Sequence, residues 1–215
     1  MQRPNDNVRQ AILLAAKRLF LAQGASKTTM RAIAQKAQVA VGSIYTYFPN
    51  KDAILKEVLA PALQAINNLF ALHNGERYLS IEIYTDPARI VEMRNMLFHL
   101  VSQYRLELRL LFFGTAGTAF ENYRMTLMAQ QEQLSHEYMN LVKARYPKIH
   151  VEVSPFFIQL MCGLWLTVIT ELIAHEELSE AQLQQTLDEY TRYGLGGWRA
   201  LFLPHSMQSD KILPE

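Results

Sequence analysis

The sequence predicts an all-α fold, with a small N-terminal three-helix module followed by a larger helical body. Three observations predict it. Apolar residues recur three and four positions apart along most of the chain, which is the period of a helix with one buried face. No stretch alternates with period two for long, and only residues 149–153 fit a short strand. Caps and breakers, such as Asp86-Pro87, Ser154-Pro155 and Pro147, punctuate the chain at helix lengths.

Val8, Ile12, Ala15, Ala16 and Leu19 define a first amphipathic helix, with Asn7 as its N-cap and Gly24 just past its last periodic residue. Thr28 or Thr29 can cap a second, short helix over residues 30–37, whose Ile33, Ala34 and Ala37 suit close helix crossing. Only Gln38, Val39 and Ala40 separate it from a third helix over residues 41–48, with Ile44 and Phe48 inward and Ser43, Thr46 and Tyr47 outward. Two short helices joined this tightly have the outline of a helix-turn-helix, whose second member offers its first residues to a major groove. There Gly42 and Ser43 permit close backbone approach, Val41 suits a thymine methyl, and Thr46 and Tyr47 can hydrogen-bond base edges or phosphates. That helix has no Arg or Gln for bidentate base reading, so readout leans on apolar contact and DNA shape. Asn50 then caps a fourth helix carrying Ile54, Leu55, Val58 and Leu59 on one face. Lys51 in its first turn opposes the helix dipole, and a phosphate at that terminus would reverse the sign of the interaction.

Pro61 should kink this fourth helix. Asp86-Pro87 opens a helix with Ile90, Val91, Leu97, Leu100, Val101 and Tyr104 at helical spacing, a break is expected before residues 106–113, and Gly114 to Gly117 ends the run. A long helix over residues 118–145 is stopped by Pro147. Ser154-Pro155 starts an apolar helix, and Ser179 with Gln182 forms a capping box for a last one over residues 180–193.

Composition limits the function classes. Of 215 residues, 50% are hydrophobic, 19% are charged and one is cysteine, which excludes disorder and a disulfide framework. No secretory signal opens the chain, so a cytoplasmic location is expected, nucleoid-associated when bound to DNA. The apolar segment of residues 155–174 contains Gln159 and Glu171 and reads as a core or interface helix rather than a membrane span. The net charge of +1 conceals an asymmetry: residues 1–57 hold nine basic and three acidic residues, and the remainder twelve basic and seventeen acidic. A basic N-terminal module on an acidic body points to a polyanionic partner for the module.

The six histidines are isolated, and no Gly-rich phosphate loop or Gly-x-Ser-x-Gly elbow occurs. Cys162 sits in an apolar helix. No catalytic residue, metal ligand or cofactor is therefore expected, and the chain reads as a non-enzyme. The body is rich in Met and aromatics. Met93, Met96, Tyr104, Phe112, Phe120, Tyr123 and Trp165 are candidates to line a ligand pocket, although at helical spacing each is first of all a core residue. Phe157, Met161, Trp165, Leu183, Leu187 and Trp198 on the last two helices are candidates for a dimer seam, with burial inside one subunit as the competing reading.

Phe20, Gly24, Thr28-Thr29-Met30, Ile33-Ala34, Ala37, Val39, Gly42-Ser43-Ile44-Tyr45, Tyr47-Phe48 and Asn50-Lys51-Asp52 resemble, in order and spacing, the DNA-binding signature of the TetR family of bacterial transcriptional regulators. The resemblance covers roughly residues 7–57. It implies an all-helical homodimer, each subunit with a three-helix DNA-binding head and a variable effector-binding body. The expected division is a helix-turn-helix DNA-binding domain (residues 1–50), a helical effector-binding and dimerisation domain (residues 51–205) and a flexible tail (residues 206–215). By the same resemblance, DNA contacts fall to Thr29, Val41, Gly42, Ser43, Tyr45, Thr46, Tyr47 and Lys51. Two positions depart from the family pattern: Gln38 stands where glycine is common in the turn, and Ala40 where serine is common. The function expected is repression at a palindromic operator in double-stranded DNA, released by a small apolar or amphipathic effector. The alternative is a helical small-molecule-binding or partner-binding protein in which the N-terminal helices are only structural.

Overall fold

The computed structural model describes residues 6–73, 86–147 and 152–202. The expected tail at 206–215 and most of the candidate strand at 149–153 lie outside them. The described residues form eight helices: α1 (Asp6–Lys27), α2 (Met30–Lys36), α3 (Val41–Tyr47), α4 (Lys51–His73), α5 (Pro87–Phe113), α6 (Tyr123–Arg145), α7 (Pro155–Ala174) and α8 (Glu180–Phe202). They divide into two compact units. One runs to Asn67 and takes up Gln103–Thr126; the other holds Asn68–Ser102 and the chain from Leu127 onward. The expected boundary at residue 50 is a different division, of sequence rather than of packing. The observed one follows three-dimensional packing, in which a segment from the middle of the chain joins the N-terminal helices.

In the first unit the core is built from Ile12, Ala16 and Phe20 of α1, Ile33 and Ala34 of α2, Ile44 of α3, and Ile54, Leu55 and Leu59 of α4, all fully or almost fully buried. The small Ala faces let α2 lie against both α1 and α3. Gly24 adopts φ 80, ψ 165 and breaks the helical geometry near the end of α1, as its place past the periodic residues predicts. Thr29, not Thr28, caps α2: its hydroxyl accepts from the Ala32 amide at 3.1 Å. Thr28 is buried and donates to Gly24 O at 2.8 Å. Gln38 has a φ of +58 in the turn, the left-handed conformation for which glycine is the low-strain residue. α3 has no side-chain cap, because Ala40 stands at that position.

α4 runs unbroken through Pro61 from Lys51 to His73. The break anticipated in α5 falls at Tyr104 (φ −113, ψ 20). α6 starts at Tyr123, five residues later than the sequence periodicity implied. Between the helices, Thr115 Oγ1 donates to Leu111 O at 3.0 Å and Thr118 Oγ1 to Thr115 O at 2.7 Å, while Gly117 has φ +70. Local hydroxyl bonds of this kind compete with helix formation and hold the segment in turns.

In the second unit, Ser154 caps α7 through the Phe157 amide, and Ser179 with Gln182 forms the expected reciprocal box before α8. α7 is long and apolar enough to cross a membrane, but Ile158, Cys162, Leu166, Ile169, Thr170, Leu172 and Ile173 are buried within the protein. α8 continues to Phe202, nine residues past the expected end, through Gly194, Gly196 and Gly197. Each glycine costs a helix roughly 1 kcal/mol. Packing offsets this: Leu195 and Phe202 are buried, and Trp198 stacks on Phe202 with centroids 5.7 Å apart.

Candidate nucleic-acid interface

Burial on α3 separates its two faces cleanly. Ile44 is fully buried, with Phe48 just beyond the helix, whereas Val41, Gly42, Ser43, Tyr45 and Thr46 are exposed and Tyr47 is half-buried. Val41 and Tyr45 are apolar surface without a packing partner to explain their exposure, 43% and 53%. Thr29 at the start of α2 is also exposed. Ala40, at the N-cap of α3, offers no side-chain acceptor to the amides of its first turn, and the Ser43 amide donates to Ala40 O at 2.9 Å.

The remaining candidate is used differently. Lys51 Nζ donates to Ala25 O at 2.6 Å, so its ammonium caps a carbonyl at the end of α1 rather than standing free. One of its three N–H donors is engaged. Asn50 Oδ1 accepts from the Ala53 amide at 2.9 Å, as a cap of α4 should. Asp52 Oδ2 accepts from the Ala119 amide at 3.3 Å, and the Ala25 amide donates to Gly114 O at 2.8 Å. Lys17 is paired with Glu107. The end of α1 and the start of α4 are thereby bonded to residues 107–119, a link no local pattern disclosed. Arg9 pairs with Glu57 and lies over the Phe48 ring, 5.3 Å from its centroid, which holds α1, the end of α3 and α4 together.

Residues 12–58 match the family described as bacterial regulatory proteins, tetR family. Residues 12–58 thus carry the N-terminal region of the TetR family. A stretch of 55 residues is 44% identical to the HTH-type transcriptional regulator SrpR of Pseudomonas putida and spans 26% of each chain. The chain thus matches about a quarter of the length of its curated relatives, the head region alone. Over nearly the whole chain it has the fold of MexZ, a repressor responsible for antibiotic resistance in Pseudomonas aeruginosa (TM-score 0.63, 15% identity, 94% of this chain and 98% of that one). NalD of the same organism, the secondary repressor of the MexAB-OprM multidrug efflux pump, is similar as well (TM-score 0.57, 22% identity, 88% and 95% covered).

The body holds a cavity of about 500 Å³, wholly inside the second unit. Met93, Leu97, Trp165 and Trp198 are among its walls, with Phe70 and Phe157 packed on the two tryptophans at 6.2 and 5.8 Å between centroids. Of the candidate ligand residues only Met93 and Trp165 line it. Met96 lies on the same unit but off the wall. Tyr104, Phe112, Phe120 and Tyr123 belong to the first unit, where Phe112 and Tyr123 stack at 6.4 Å and burial raises the Tyr123 hydroxyl above its ordinary pKa. The break at Tyr104 is the physical reason, since the second half of α5 packs with the head.

The candidate seam residues also divide. Leu183 and Leu187 are buried inside one subunit, while Phe157, Met161, Trp165 and Trp198 line the cavity. The most exposed apolar side chains are others: Phe156 (67% exposed) and Leu160 (50%) on α7, which lie off the cavity, and Leu164 on α7 with Tyr193 (72%) and Leu201 on α8, which also line it. Phe156, Leu160 and Leu164 repeat every four residues and so form a single stripe. Gly163, Gly196 and Gly197 have open space where a Cβ would project. Cys162 is buried and 3.6 Å from Ser135 Oγ, and burial raises its thiol pKa, the direction that disfavours a nucleophilic thiolate.

Sequence reasoning missed Tyr190 and Thr191 in the cavity wall. The signal was present: Leu183, Leu187, Thr191 and Leu195 form one buried stripe of α8, with a hydroxyl where a leucine belongs.

Proposed function

We propose that the chain is a homodimeric DNA-binding transcriptional regulator that represses a palindromic operator and releases it when a small, largely apolar molecule occupies the body. The observation that carries the DNA-binding reading is the outward face of α3: Val41, Gly42, Ser43, Tyr45 and Thr46 are exposed together on a helix anchored by the buried Ile44. That is the arrangement a major groove requires. Thr29 and Tyr47 flank it as phosphate or sugar contacts. Lys51 keeps two N–H donors beyond its bond to Ala25 O and suits a phosphate at the start of α4.

The exposed stripe of Phe156, Leu160 and Leu164, with Tyr193 and Leu201, favours a seam with a second copy, which would set the spacing of two α3 helices. The cavity supports an effector site. Its occupant acts by differential affinity for the two spacings of the heads, and the shift in operator binding cannot exceed that difference. The named repressors of the same fold support repression as the sense of control.

The test is a mobility shift on DNA flanking the chain's own gene, in a salt series. Specific binding whose affinity falls steeply with salt is expected. Absence of binding to every upstream fragment would instead favour the helical small-molecule-binding protein with structural N-terminal helices.

A further inference from the structure

The cavity wall carries more chemistry than its apolar character alone. Among the described residues, no Asp, Glu, Lys, Arg or His lines it. Its polar groups are hydroxyls, one amide, the Cys162 thiol and the indole N–H groups of Trp165 and Trp198. Ser135 Oγ donates to Gln131 O at 2.8 Å. Thr191 differs. Thr126, Thr167, Thr170 and Thr186 each donate to the carbonyl four residues back, at 2.9 to 3.3 Å. Thr191 makes no such bond. Its Oγ1 is buried without a protein partner, in a residue only 4% exposed, on the cavity wall. A buried hydroxyl without a partner is unfavourable by about 1–3 kcal/mol, so its persistence calls for an occupant that bonds it.

Resting on the reading of the cavity as a ligand site, we infer that it takes an uncharged, mainly aromatic molecule with one hydrogen-bonding group, and that Thr191 Oγ1 recognises that group. A carboxylate, sulfonate or ammonium would be buried without a counter-charge, at several kcal/mol. Tyr190, lining the same wall, reports the environment: burial pushes its hydroxyl up to about 12, because the site disfavours a phenolate. The aromatic walls could hold a cation over a ring face. However, Phe157 meets Trp198 nearly edge-on at 75°, so the rings are engaged with each other, and no carboxylate completes a cage.

The probe is N-phenyl-1-naphthylamine, a neutral dye that brightens in apolar sites, displaced by four competitors with one ring system: 1-naphthalenemethanol, 1-methylnaphthalene, 1-naphthoate and 1-naphthylmethylammonium. The alcohol should displace it at least roughly tenfold better than either ion. Thr191→Val, close in volume, should weaken the alcohol about fivefold while leaving 1-methylnaphthalene unchanged or tighter, and Thr191→Ser should restore the alcohol. Either ion competing as well as the alcohol, or Thr191→Val weakening the alcohol and the hydrocarbon equally, overturns the inference while leaving the ligand site standing. Failure of the dye to bind at all, in a protein of normal helical circular dichroism, overturns the ligand-site reading itself.

Discussion

Replacing Gly24 by alanine should lower stability by about 1–2 kcal/mol, through the backbone rather than through a clash. Gly24 sits at φ 80, ψ 165, a region open to glycine and almost closed to residues with a Cβ. Holding alanine there costs about 1–3 kcal/mol, and the lower entropy of the unfolded chain returns about 0.4–1 kcal/mol. Sterics add little, because a Cβ at Gly24 would meet Gly114 O at 3.5 Å, an ordinary contact. For a chain of this length the loss corresponds to a fall in Tm of about 2–8 °C. Thermal unfolding followed by near-ultraviolet circular dichroism measures it. Because the adjacent Ala25 amide bonds Gly114 O, and Lys51 bonds Ala25 O, the variant should also weaken operator binding at temperatures where the fold is intact. An unchanged or higher Tm would refute the reasoning, since it would mean that alanine adopts this conformation freely or that the chain relaxes without loss.

Lys51→Ala should remove both a cap and a phosphate contact, lowering stability by about 1 kcal/mol after discounting for partial exposure, and weakening binding to specific and random DNA alike. Substitutions of Val41 or Thr46 should leave the Tm within about 2 °C, as surface changes of up to about 0.5 kcal/mol do, and alter sequence preference instead, read by mobility shift on specific against random duplexes. Leu160→Glu should convert the dimer to a folded monomer in sedimentation analysis, since Leu160 is outward in the subunit; a dimer of unchanged affinity would exclude this stripe from the seam. Tyr190 should be among the last tyrosines to ionise in an absorbance titration. Its folded pKa lies above the unfolded value near 10, so the stability it contributes is present below pH 10 and is lost as pH rises from 10 towards 12; Tyr190→Phe should abolish that component.

The local content of the chain was legible because it rests on short-range physics. Helical spacing of Ile12, Ala16 and Phe20, the caps at Asn50, Ser154 and Ser179, and the helix-breaking glycine near the end of α1 each depend on neighbours within a few residues, and each stands where the local pattern puts it. The inward and outward faces of α3 were readable for the same reason. Long-range packing decided the rest. Tyr104, Phe112, Phe120 and Tyr123 have the residue types of a pocket yet belong with the head, because the break in α5 sends its second half into the first unit. α8 outlasts its glycines because Leu195, Trp198 and Phe202 gain more from tertiary contact than the helix loses in propensity. By itself, then, the sequence determined an all-helical chain with a TetR-like head and the face that head turns outward. Only the tertiary structure decided which aromatics line the body cavity, which apolar side chains stay exposed, and that the Thr191 hydroxyl is buried without a partner, because these depend on contacts between segments far apart in the chain.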